Sequence, residues 1–151
     1  MFDWKAIANL LNAAALTMNF IVTVVSWLLI MPYILLGENY SIWSKIDQSL
    51  IHALPLVFSL INTFFLSDAV VYYSDSWLIV VFAAFYLAVT YYYTYRSGRY
   101  VYYFLTWEEG DWMSLIFSVC TVSLGMITHN FFAFLTQLIS GRSEFESEWW
   151  E

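Results

Sequence analysis

Four stretches of this chain contain no Asp, Glu, Lys or Arg: residues 6–37, 48–67, 76–95 and 112–141. A helix crosses the hydrocarbon core of a bilayer in about 20 predominantly apolar residues, and each stretch is long enough. We therefore expect an all-α membrane protein with four transmembrane helices over about residues 13–36, 48–67, 76–95 and 112–139, the whole chain forming a single integral membrane domain. Two additions complete the expectation. Phe2, Trp4, Ile7, Leu10 and Leu11 suit one apolar helical face, with Asp3, Lys5 and Asn9 largely opposite, which predicts a short N-terminal interfacial helix. The connection between helices 3 and 4 carries Tyr100-Val101-Tyr102-Tyr103-Phe104-Leu105, too apolar for a solvated loop and expected at the headgroup layer or folded against the helices.

Charge excludes several classes of function. Only 11% of residues are charged, against roughly 25% in soluble domains, and the net charge is −7. An acidic chain with five basic residues lacks the patch that nucleic acid requires. It also lacks a polybasic lipid anchor. Cys120 is the single cysteine, so neither an intramolecular disulfide nor a multi-cysteine metal site can form. The first membrane helix is expected to serve as its own targeting signal. Lys5 and Arg142 flank one side of a four-pass arrangement and Lys45, Arg96 and Arg99 the other, too even a count to set an orientation.

Polar residues inside the spans fall in register. Asn12, Asn19, Thr23 and Ser26 follow at helical spacing on helix 1, as do His52, Ser59 and Asn62 on helix 2, where Pro55 predicts a kink or a tightly supported turn. Ser114, Ser118, Thr121, Gly125 and Thr128 make a stripe of small residues on helix 4. In lipid such faces turn towards other helices or a partner. Residues 67–76 read as a tight acidic turn with Asp68 and Asp75, beside an interface belt of Tyr72, Tyr73 and Trp77. The tail from Ser143 to Glu151 combines four glutamates with the Trp149-Trp150 pair, an acidic segment with two indoles to anchor it.

Among ionisable carboxylates and bases, the two histidines alone lie within the spans. Helices 2 and 4 run in the same direction, placing His52 roughly 6 Å and His129 roughly 25 Å along their windows, which excludes a shared haem. No cluster has metal-ligand spacing, so no cofactor and no metal are expected. His129, beside Asn130, is expected to bond between helices. His52 could act as a general base, with Thr17, Thr23 or Thr128 as the available threonine hydroxyls, and the spacing selects none of them.

The run Ser26-Trp27-Leu28-Leu29-Ile30-Met31-Pro32-Tyr33, the His-led Ile51-His52-Ala53 and the segment Gly98-Arg99-Tyr100-Val101-Tyr102-Tyr103-Phe104-Leu105 together resemble the androgen-induced family of six-pass membrane threonine hydrolases. The last of these is similar to the family's Gly-x-x-Val-Tyr-Pro-Phe-Leu, with Tyr103 in place of the proline. The resemblance implies lipid esters of hydroxy fatty acids as substrates and a role for His52 assisting a threonine nucleophile. It covers the family's last four helices, and the helix bearing that threonine is expected to be missing. The function expected is therefore non-catalytic: an accessory subunit of a larger membrane protein complex, in contact with membrane lipids and other subunits. A lipid ester hydrolase using His52 with a replacement nucleophile is the first alternative. A lipid-binding module with its pocket between helices 1, 2 and 4, under the aromatic loop, is the second. The expected home is the mitochondrial inner membrane, where large assemblies gather small subunits, or the endoplasmic reticulum.

Overall fold

The computed structural model describes residues 4–37, 39–67 and 69–141. Among these residues the chain forms helices and no strand, and four helices are long and apolar enough to cross a membrane. It is an all-α membrane protein. The acidic tail with Trp149 and Trp150, together with Phe2, Asp3, Asp68 and Arg142, lies outside the described residues.

The first helix, α1 (Trp4–Leu36), is 33 residues long, about 50 Å at the α-helical rise. A hydrocarbon core of about 30 Å is shorter than that, so α1 must tilt or extend its ends into the headgroup layer. The N-terminal stretch expected to lead into helix 1 does so without a break. Within α1, residues Ser26–Ile30 form a π-helical turn, a local insertion common at functional positions. Lys45 closes the far end by donating from Nζ to the Leu35 carbonyl at 2.7 Å.

Helix α2 (Ile42–Leu66) starts at Ile42 rather than near residue 48, so Lys45 and Asp47 sit in its first turns and not in a loop. Ser41 caps it, its hydroxyl accepting from the Ser44 amide at 3.1 Å. The α-helix continues through Pro55, and α2 ends in a second π turn, Asn62–Leu66. Helix α3 (Ser76–Ser97) stops at Gly98, whose φ of 63° is the left-handed conformation that a Cβ disfavours. Helix α4 (Trp112–Ser140) begins at Asp111, which accepts from the Met113 and Ser114 amides.

Helix α1 is the central element. It packs against α2 along one side and against α4 and α3 along another. Its buried residues include Ala13, Ala14 and Thr17, small side chains that let neighbouring backbone come close. Gly125 of α4 serves the same purpose: a Cβ there would stand 2.9 Å from both Ile21 Cδ1 and Ile79 Cγ2. No residue of the α-helical part of α2 is buried. That helix is held on one face only.

Residues 67–72 depart from the expected tight turn. Among those described, the chain runs into the bundle as non-helical backbone, leaving Val70 and Val71 2% and 0% exposed. Val71 packs against Ala13 of α1 and Ala133 of α4. The reason is apolar: two adjacent valines between helices lined with alanine are better buried than exposed.

Candidate functional site: a polar seam, a histidine clamp and an apolar cavity

The polar residues of α1 and α2 meet as a seam along nearly the whole contact. At one end Asn12 donates from Nδ2 to Thr63 Oγ1 at 3.0 Å and accepts from Asn62 Nδ2 at 2.8 Å. Next, Asn19 Nδ2 reaches Ser59 Oγ at 2.7 Å and the Pro55 carbonyl at 3.3 Å. Thr23 Oγ1 donates to the His52 carbonyl at 2.6 Å. Proline cannot donate to the helical ladder and crowds the turn before it; the α1 side chains bond the Pro55 carbonyl itself and that of His52, three residues earlier.

The seam ends at His52, whose Nδ1 lies 3.1 Å from Ser26 Oγ. Among the described residues, the hydroxyl at the His52 ring is thus Ser26. Thr17 and Thr128 make no hydrogen bond to it, and Thr23 bonds only its backbone. Sequence reasoning placed Ser26 on the correct face but did not offer it as the hydroxyl for His52. The signal was the register of Ser26 with the seam.

His129 is fully buried and does a different job. Its Nε2 lies 2.9 Å from the Tyr72 carbonyl and its Nδ1 3.2 Å from Thr17 Oγ1. A carbonyl only accepts, so the bond to Tyr72 assigns the proton to Nε2. With the ring neutral, Nδ1 then accepts from the Thr17 hydroxyl, which otherwise turns to the Ala13 carbonyl at 3.0 Å. Other side chains hold the same non-helical segment. Asn9 donates to the Val70 carbonyl at 3.4 Å, Gln137 to the Val71 carbonyl at 3.3 Å, and the Val71 amide donates to Thr136 Oγ1 at 3.0 Å. Non-helical backbone at membrane depth survives only when protein satisfies its polar groups, and this clamp does so. His52 and His129 bond α1 residues about 14 Å apart along the helix axis, so the two imidazoles do not share a site. Among the described residues no group of three or more His, Cys, Asp or Glu side chains could hold a metal ion.

The aromatic loop folds back over the bundle. Leu105 is buried, Phe104 packs on Phe117 of α4 at 4.4 Å between ring centroids, and Tyr102 stacks on Phe104 at 5.1 Å. Tyr103 donates to the Leu29 carbonyl of α1 at 3.3 Å. At the loop's end, Asp111 takes hydrogen bonds from the Ser114 and Thr106 hydroxyls and from the Ser114 and Met113 amides, which hold its carboxyl below the usual carboxylate range. At neutral pH it is an anion tying the loop to the first turn of α4.

Beneath this loop lies a cavity of about 120 Å³. Its walls come from α1, α3, α4 and the loop, represented by Val25, Ser26, Ala83, Tyr86, Tyr102 and Thr121. Helix α3, not α2, completes it: no residue of α2 lines the cavity. None of the lining residues is charged. Val22 and Tyr86 on its walls are partly exposed, so it reaches the protein surface. Ser26 links the two features, lining the cavity while bonding the His52 ring.

No family model, no curated protein and no solved structure matches this chain.

Proposed function

We propose that this chain is an integral membrane protein that holds an apolar lipid chain in the cavity between α1, α3 and α4, without catalysing a reaction. The carrying observation is the cavity itself: uncharged, roofed by stacked aromatics and open at the protein surface. Engineered apolar cavities of about 150 Å³ bind benzene-sized groups, so this one suits a chain terminus, with the remainder of the lipid lying along the helices. A role as an accessory subunit is compatible with the same scaffold. Helix α2 is held on one face and presents Leu50, Leu54, Phe58 and Ile61 outward, to lipid or to a neighbouring subunit. Filling the cavity tests the proposal. Ala83→Trp is expected to abolish retention of copurifying lipid, read by mass spectrometry of the extracted protein, while helicity stays unchanged. Equal lipid content in the variant and the wild type would sink it.

One observation favours a second reading, a lipid ester hydrolase. A hydroxyl within hydrogen-bond reach of an imidazole, beside a cavity, is the arrangement of an activated nucleophile. The resemblance to the androgen-induced hydrolases supports the same role for His52. On this reading Ser26 Oγ attacks the ester carbonyl as His52 Nδ1 takes its proton, the alcohol leaves, and water hydrolyses the acyl-serine. Ser26→Ala and His52→Ala are then each expected to reduce hydrolysis of a chromogenic acyl ester to background, with the fold retained. Turnover that survives both substitutions excludes the pair.

A further inference from the structure

The cavity's remaining hydrogen-bond capacity says what kind of chain it takes. Ser118 uses its hydroxyl on the Ser114 carbonyl at 2.7 Å, and Ser26 is engaged with His52. Tyr86 and Tyr102 bond each other at 2.9 Å, linking α3 to the loop. Two phenols sharing one hydrogen bond use one proton between them, whichever of them donates, so one O–H remains available. Thr121, on the α4 wall, makes no hydrogen bond among the described residues. The cavity thus offers donors and has neither a cation nor an anion on its walls.

We infer that the ligand is an uncharged lipid chain bearing a hydrogen-bond acceptor oxygen, an ester or ether, which the Tyr86–Tyr102 pair recognises. This rests on the reading of the cavity as a lipid site. A plain hydrocarbon would give the available O–H groups no acceptor on the ligand. An ionised carboxylate would bring a charge into a chamber with no counter-ion, which burial penalises heavily. A neutral acceptor satisfies both conditions.

The experiment is competition against radiolabelled methyl myristate on protein reconstituted in nanodiscs, using unlabelled methyl myristate, myristate and tetradecane. The methyl ester is expected to compete best. One neutral hydrogen bond corresponds to about fivefold in affinity over the alkane. In the double variant Tyr86→Phe/Tyr102→Phe, the ester is expected to fall to the level of tetradecane while tetradecane itself is unchanged, which also shows that the cavity is intact. Equal competition by all three, or the tightest competition by myristate, overturns the inference and leaves the lipid site standing. Absence of specific methyl myristate binding by the wild-type protein overturns the lipid site and the inference together.

Discussion

Substituting His129 with leucine is expected to lower the unfolding free energy in mild detergent by about 1 kcal/mol, the net worth of the hydrogen bonds it removes. Leucine fills much of the imidazole's volume, so the loss would report the hydrogen bonds rather than a void. The Tyr72 carbonyl loses Nε2–H at 2.9 Å and keeps the Asp75 amide at 3.1 Å, and Thr17 is left with the Ala13 carbonyl alone. Interhelical hydrogen bonds in membranes average below 1 kcal/mol because an unfolded helix in lipid finds other partners. Here the Tyr72 carbonyl keeps the Asp75 amide as a donor at 3.1 Å, so no acceptor is orphaned and the value stays near that average. Glutamine separates this account from simple packing. Its Nε2 reaches about as far as the histidine's, so His129→Gln is expected to keep most of the stability, while His129→Asn, which is too short to reach Tyr72, is not. Equal stability of the leucine and wild-type proteins under denaturant titration would remove the clamp from the account.

The second large effect is expected at Gly125. A valine there brings a Cβ to 2.9 Å from both Ile21 Cδ1 and Ile79 Cγ2, with two further methyl groups to place. The Ile21 contact is the end of a flexible side chain and can swing aside. The Ile79 methyl is fixed to a branched β-carbon and cannot, so α3 must move. Overpacking of this kind costs about 1–3 kcal/mol, and Gly125→Val is expected at the upper end of that range. Because Ile21 and Ile79 also line the cavity, lipid retention should fall with it. Cys120→Val, on the exposed face of the same helix, is the control and is expected to leave both properties unchanged.

The four spans could be read directly from residues 6–37, 48–67, 76–95 and 112–141, because their signal is local. A long charge-free run has few other places to go, whatever its neighbours are. The inward faces were equally legible: Asn12, Asn19, Thr23 and Ser26 share a register fixed by helical periodicity, and the seam with α2 uses all four. Helix ends were less so, since Lys45 and Asp47 carry charges that read as loop yet sit on α2, where the headgroup layer can solvate them.

Tertiary structure decided which partners those faces find. Nothing in spacing distinguishes Ser26 from Thr17 or Thr128 as the hydroxyl for His52; the choice depends on which side of α1 each helix packs. The cavity moved from an expected boundary with α2 to α3 for the same reason. Residues 69–72 are the clearest case. Two valines beside acidic and aromatic residues read as a turn at the interface. They become buried non-helical backbone only because Asn9, His129, Thr136 and Gln137, distant in sequence, converge to satisfy the segment's polar groups. Span length and polar register are properties of a single helix, and the sequence by itself determined them. The hydrogen-bond partners, the clamp and the cavity are properties of three or more segments at once, and only packing settles those.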